Sequence, residues 1–191
     1  MGINPTVVET DTKNMAVVDV FSRLMKERII YFYDEVDAES SAVIISQLLF
    51  LERKGKDKPI HLYINSPGGE CLSGLAIYDT IKRLKCPIYT YACGMAASMA
   101  ASIFAAGDKG HRYILPHSRI MIHQPSGASN YCKASDFEIK YNELEKMKKE
   151  LAECLANDTG KTVDEILADF DRDYWMDGKE AVAYGIADEV I

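Results

Sequence analysis

Three short segments of the chain carry side chains suited to nucleophilic catalysis. Ser98 lies in a run of small apolar residues, and His123 follows a short apolar run. A serine hydroxyl is a poor nucleophile until a base takes its proton and amide groups stabilise the oxyanion that forms. His123 is a candidate base, and the pair Gly68-Gly69 is a candidate source of amides.

Each of these residues also has a purely structural interpretation. A small serine can let a helix pack closely, Gly68-Gly69 can form only a tight turn, and His123 can be a hydrogen-bonded histidine at a sheet edge. Their joint placement favours function, because ligands of open α/β sheets bind beyond the carboxyl ends of strands. Gly68 and His123 both follow apolar strand patterns, and Ser98 lies near a predicted helix start, where free amides favour negative charge. The spacing therefore indicates a serine hydrolase.

Apolar runs and amphipathic segments alternate along the chain without a linker, which predicts an α/β domain with crossover helices. A helix capped by Asp37 is expected to end near Gly55. The predicted strands are 59–64, 88–93, 113–115 and 119–122. Helices are predicted through Leu75–Ile81 and in the run of small residues that carries Ser98 near its start.

The C-terminal third is dominated by a long predicted helix. Ser135 and Glu138 have the spacing of a capping box at its start, and Gly160 is a plausible stop. A second capping box, Thr162 with Glu165, predicts a short helix before an acidic run.

Composition limits the class of protein. A chain of 191 residues that is 48% hydrophobic fits one globular domain. A net charge of −7 argues against nucleic acid or an anionic membrane as a partner. The five cysteines show no CxxC spacing, which favours reduced thiols over disulfides or a metal site. Reduced thiols suit a cytoplasmic protein, and neither a metal nor a bound cofactor is expected. No apolar run is long enough to span a bilayer.

Several motifs resemble the ClpP family of proteolytic subunits. They are Tyr63–Gly69, Ala76–Thr80, Gly94–Met99 and Met121–Pro125, with supporting matches at 4–10, 46–51 and 180–185. The resemblance implies a single ClpP-type peptidase domain over 1–191, with the ClpP/crotonase-like fold of repeated ββα units. Residues 1–18 would form an N-terminal axial segment, and a strand and helix at about 124–160 would form a protruding handle. It also implies two stacked seven-membered rings around a proteolytic chamber, into which an AAA+ Clp unfoldase feeds unfolded protein.

The same resemblance assigns roles to individual residues. It implies that Ser98 is the nucleophile, His123 the general base and Asp173 the acid that orients the imidazole. It also implies that the backbone amides of Gly69 and Met99 form the oxyanion hole. The residue pattern alone leaves the acid open among the aspartates of the 169–173 run, because alternate residues of an extended segment share a face.

Assembly roles also follow from the resemblance. It implies that Asp171 and Arg172 bridge the two rings, and that His61, Tyr63 and Arg83 belong to the unfoldase docking surface. Two of the docking positions are commonly aromatic in the family but are His61 and Arg83 in this chain. The segment 131–136 departs from the family pattern before the long helix and has one extra residue.

The sequence thus predicts a serine endopeptidase subunit that forms homo-oligomeric rings. One alternative is a ring-forming paralogue with little activity of its own that needs a second ClpP-like subunit. Another is an acyl-CoA enzyme of the related crotonase fold, which would not depend on Ser98 and leaves His123 unexplained. The sequence favours a Ser-Lys peptidase less, because the next lysine after Ser98 that could act as the base is Lys109, which lies in a glycine-containing turn.

Overall fold

The computed structural model describes residues 5–11, 14–127 and 133–191. Its strands are β1 (Thr6–Asp11), β2 (Asn14–Asp19), β3 (Ile29–Phe32), β4 (Ile60–Ser66), β5 (Ile88–Ala97), β6 (Arg112–Ile114), β7 (Arg119–Ile122), β8 (Tyr174–Met176) and β9 (Glu189–Val190). Its helices are α1 (Val20–Lys26), α2 (Ala38–Lys54), α3 (Cys71–Arg83), α4 (Met99–Ala105), α5 (Ala134–Thr159), α6 (Val163–Asp169) and α7 (Gly178–Tyr184). This confirms the predicted α/β class.

The main sheet is largely parallel. Strands β3, β4, β5, β6 and β9 are neighbours in that order, and β7 pairs in parallel with the last residues of β5. Strand β8 is the exception, since it runs antiparallel to β7 and places Tyr174 opposite Ile122 and Trp175 opposite Met121. The first two strands form a separate antiparallel hairpin.

One face of the sheet carries the core. In β4, Ile60, Leu62 and Ile64 are fully buried, whereas the intervening His61 and Tyr63 are only partly buried. This alternation follows from the two-residue period of a strand. The buried face packs into one hydrophobic cluster with residues of α2, α3 and α4.

The opposite face carries a row of aromatic side chains. Tyr31, Tyr63, Tyr91 and Tyr113 lie in register across β3, β4, β5 and β6. The rings of Tyr63 and Tyr91 stack with their centroids 4.3 Å apart. Cross-strand pairs of this kind stabilise a sheet, and each of the four tyrosines remains partly exposed.

A buried polar cluster fastens the end of α5 to α3 and α4. The Lys82 ammonium lies 2.6 Å from an Asp158 carboxylate oxygen and donates to the Ala106 carbonyl at 3.0 Å. The Tyr78 hydroxyl donates to the other Asp158 oxygen, and Arg112 donates to the Asp158 carbonyl. The Asp158 side chain is only 8% exposed, so its charge depends on these partners.

Arg112 also reaches the C-terminal segment. Its guanidinium donates two hydrogen bonds to the carboxylate of Asp188, at 2.9 and 2.6 Å. Burial alone would raise the pKa of Asp188, but the hydrogen bonds and the charge of Arg112 hold that pKa below its usual value.

The helix boundaries confirm most of the predicted capping signals. Asp37 caps α2, which ends at Gly55, and α5 ends at Gly160 in the left-handed conformation. Thr162 and Glu165 form the predicted capping box of α6. The capping box predicted at Ser135 is wrong, because α5 begins at Ala134 with no side-chain cap.

The predicted handle is described only in part. Helix α5 has 26 residues and is therefore about 39 Å long. Residues 124–127 lie in neither helix nor strand, and the rest of the predicted handle strand, 128–132, lies outside the described residues. Within the described ranges, no helix combines the length and apolar character needed to cross a bilayer.

Candidate active site

Ser98 lies at a sharp strand-to-helix junction. Strand β5 ends at Ala97 and α4 begins at Met99, so Ser98 is the N-cap of that helix. Its backbone has φ 55° and ψ −125°, a conformation that costs a non-glycine residue about 1–3 kcal/mol. The Ser98 amide donates to the Met121 carbonyl at 2.8 Å, which ties the junction to β7. A strained turn of this kind presents a serine hydroxyl outward at the end of a sheet.

His123 reaches the Ser98 hydroxyl from the neighbouring strand. It directly follows β7, and its Nε2 atom lies 2.7 Å from Ser98 Oγ. The imidazole is 28% exposed, so solvent and substrate can approach it. This distance allows the ring to take the hydroxyl proton.

The other imidazole nitrogen faces Asp173. The Nδ1 atom of His123 lies 3.3 Å from Asp173 Oδ1, and the carboxylate is 61% exposed. The contact follows from the antiparallel register, because Tyr174 pairs with Ile122 and the next residues outward are Asp173 and His123.

The structure distinguishes the aspartates that the residue pattern left open. Asp169 accepts a hydrogen bond from the Tyr184 hydroxyl and lies 3.8 Å from the Lys161 ammonium. Asp171 contacts the side chain of Gln124. Of the three, Asp173 is the one that contacts His123.

The two amides predicted to form an oxyanion hole, those of Gly69 and Met99, belong to backbone segments that meet at Ser98. The Val36 amide donates to the Gly68 carbonyl, and the Val36 carbonyl accepts from the Glu70 amide. In a parallel bridge of this kind, the amide of the intervening residue, Gly69, points away from Val36. The backbone at Gly68 approaches so closely that an added Cβ would lie 2.8 Å from the Met99 nitrogen. The Met99 amide belongs to the first turn of α4, where amides have no partner within the helix.

The loop that presents these amides is fixed by two residues to which the sequence analysis gave no role. The Ser66 side chain is fully buried, donates to the Asp34 carbonyl and accepts from the Gly68 amide. The Asn65 side-chain oxygen accepts from the Met95 amide at 3.1 Å. The Asn-Ser-Pro-Gly pattern was the available signal, because such side chains bond locally to the backbone in turns.

A small apolar cavity of about 20 Å³ lies beside Ser98 and His123. Its walls include Cys71, Met99, Ser102, Ile122, Leu151 and Phe170.

The residues predicted to bridge rings point to solvent in the single chain. Arg172 is 95% exposed, and its Nε atom lies 3.9 Å from Asp171 Oδ2. This long contact leaves the guanidinium available to another subunit.

The residues predicted for docking are only partly brought together. His61 and Tyr63 lie on the aromatic face of the sheet, whereas Arg83 is exposed on α3 and makes no cation–π contact among the described residues. The Tyr91 hydroxyl lies 2.8 Å from His61 Nδ1, and burial raises the pKa of Tyr91 to about 12. Burial, together with the charge of Arg28, lowers the pKa of His61 below 6.5.

No metal-binding cluster is present in the part of the chain that the structure describes. Four cysteines there are free thiols, namely Cys71, Cys86, Cys93 and Cys154. Cys132 lies outside the described residues.

Comparison with known proteins gives the family. Residues 12–191 match the sequence model of the Clp protease family. The chain is also similar to the ATP-dependent Clp protease proteolytic subunit of Porphyromonas gingivalis, at 46% identity over 189 residues, which cover 99% of this chain and 85% of that protein. The chain therefore belongs to the Clp protease family, which confirms the resemblance seen in its motifs.

Proposed function

We propose that this protein is a serine endopeptidase subunit that hydrolyses peptide bonds of unfolded polypeptides. The observation that carries the proposal is the continuous contact from Ser98 Oγ to His123 Nε2 and from His123 Nδ1 to Asp173. The family relationship supports the same reaction, since the Porphyromonas gingivalis relative carries the name of a Clp protease proteolytic subunit.

The geometry supports acyl transfer in two steps. His123 takes the Ser98 proton as Oγ attacks the scissile carbonyl, and the amides of Gly69 and Met99 stabilise the negative oxygen that results. His123 then gives its proton to the leaving amine, and an acyl-enzyme remains on Ser98. A water molecule, deprotonated by His123, releases the acid and regenerates the hydroxyl. Asp173 holds the ring orientation and stabilises its charged form.

We further propose that the chain works as a cytoplasmic homo-oligomer of two stacked seven-membered rings served by an AAA+ Clp unfoldase. In this assembly residues 1–18 form the axial segment, the strand and helix at about 124–160 form the handle, and Asp171 with Arg172 bridges the rings. The exposure of Arg172 supports its assignment as a ring contact, and the aromatic face around His61 and Tyr63 supports the assignment of the docking surface. A paralogue that needs a second ClpP-like subunit differs from this proposal only in requiring that subunit for activity.

The test is the Ser98→Ala variant. We expect it to lose cleavage of a fluorogenic peptide and labelling by a fluorophosphonate, because the attacking oxygen is absent, while the mass of the assembly is unchanged. Ser102→Ala is the matched control, since Ser102 lines the same cavity, whereas the imidazole Nε2 of His123 is hydrogen-bonded to Ser98. Retained cleavage in Ser98→Ala would contradict the proposed function, and activity that appears only with a second subunit present would favour the paralogue.

A further inference from the structure

The residue after His123 fastens the segment that carries the triad acid. Gln124 donates through its backbone amide to the Phe170 carbonyl at 2.6 Å. Its side-chain amide donates to the Asp171 carbonyl at 2.8 Å and to Asp171 Oδ1 at 3.2 Å. One residue thus makes three hydrogen bonds to the segment directly before Asp173.

Asp173 needs such a constraint because few contacts of its own hold its side chain in place. The Asp173 side chain is 61% exposed, and its contact with His123 is a long 3.3 Å. Upstream, the buried Phe170 anchors the segment, and downstream, pairing with β7 begins only at Tyr174. Residues 171–173 therefore form a short exposed link between two fixed points, and the Gln124 side chain binds its first residue, Asp171.

We propose that Gln124 is a positioning residue for catalysis, which holds the 171–173 link so that Asp173 reaches His123 Nδ1. The proposal rests on the proposed function, because it acts through the same triad. It follows that the Gln124 side chain contributes to turnover only when Asp173 is present. Substrate binding does not depend on it, since its amide is engaged with the acid segment.

A double-mutant cycle tests this role. We expect Gln124→Ala to slow fluorophosphonate labelling of Ser98 and to lower kcat for a small peptide roughly tenfold with KM unchanged. Gln124→Glu, which keeps the shape but faces Asp171 with a second carboxylate, should lose at least as much. In an Asp173→Asn background, Gln124→Ala should change either rate by less than about twofold, because the acid that it positions is already removed.

Gln47→Ala is the matched control, because the Gln47 side-chain oxygen has no hydrogen-bond partner among the described residues. We expect the Gln47→Ala variant to react with the fluorophosphonate at Ser98 as fast as the parent protein does. Equal losses from Gln124→Ala in the presence and absence of the Asp173 carboxylate would overturn the positioning role, as would a loss confined to KM. Failure of the parent protein to label at Ser98 would instead overturn the proposed function, and this role with it.

Discussion

At the scale of single residues, the site depends on backbone approach as much as on side-chain chemistry. Ser98 adopts a strained positive φ, and Gly68 packs against the junction at distances that no side chain permits. A Cβ at Gly68 would lie 2.5 Å from the Ala97 carbonyl oxygen and 2.8 Å from the Met99 nitrogen. The glycine therefore allows the loop with the Gly69 amide to lie against the start of α4.

Gly68→Ala is expected to lower kcat/KM by about 100-fold or more, since it displaces one or both oxyanion donors. Gly110→Ala is the matched control, because Gly110 also has a positive φ of 86° but has open space around its Cβ position. Gly110→Ala introduces the same kind of backbone strain as Gly68→Ala, but its added methyl group collides with no neighbouring atom. We therefore expect Gly110→Ala to keep nearly the activity of the parent protein. The measurement is steady-state peptide hydrolysis, and equal losses in the two variants would mean that backbone strain alone is responsible.

At the scale of secondary-structure elements, three helices are fastened together away from the active site. Lys82 on α3 bonds both to Asp158 near the end of α5 and to the carbonyl of Ala106 at the end of α4. Because α4 begins directly after Ser98, this cluster holds the helix that starts at the nucleophile. The pairing with a nearly buried carboxylate makes the cluster sensitive to loss of one partner.

Lys82→Met should destabilise the fold by about 2–3 kcal/mol, because the nearly buried Asp158 side chain would lose its ion-pair partner. For a chain of this size that corresponds to a fall in Tm of roughly 5–10 °C. Lys146→Met is the control, since Lys146 forms an exposed pair with Glu143 at 3.4 Å that contributes little. The melting temperatures of the two variants are measured by circular dichroism during thermal unfolding. Equal melting temperatures would contradict a stabilising role for the Lys82–Asp158 cluster.

Local signals predicted the elements well, whereas long-range pairing was not accessible from the sequence. Asp37, Gly55 and Gly160 mark helix ends because capping is decided by neighbouring residues. The choice of Asp173 over Asp169 depends on the register of β8 against β7, which are far apart in the chain. The family resemblance supplied that residue, whereas alternation along 169–173 did not. The contacts of Gln124 with Phe170 and Asp171 are equally long-range and had no local signal.

At the scale of the whole molecule, the aromatic face of the main sheet presents partly exposed side chains across several strands. The tyrosine row crosses four strands. His61 lies on the same face beside this row, two residues before Tyr63, with its ring edge-to-face against Tyr89 and the ring centroids 5.4 Å apart. In the proposed assembly this face receives the unfoldase. A charged imidazole among these rings would oppose burial of an apolar anchor.

Docking of an AAA+ Clp unfoldase is therefore expected to depend on pH through His61. Histidine is charged below its pKa, and the pKa of His61 is lowered, so affinity should rise with pH in a range below 6.5 and stay level above neutrality. We expect a gain of roughly tenfold across that range. His61→Tyr should abolish the part of the pH dependence that is due to His61.

The measurement is equilibrium binding of the unfoldase to rings that carry Ser98→Ala, so that titration of His123 does not enter through catalysis. His117→Tyr is the control, because His117 is exposed in a turn outside the aromatic row. An unchanged pH profile in His61→Tyr would assign the dependence to another group.

The pairing of β8 with β7 has an optical consequence. The chain contains one tryptophan, Trp175, which is half exposed and lies opposite Met121, two residues beyond Asp173. Intrinsic tryptophan emission from this protein therefore comes from the strand that presents the acid. If β8 becomes more or less ordered when subunits assemble or when the active site is occupied, the wavelength and intensity of the tryptophan emission will change. This change can be measured without an added dye.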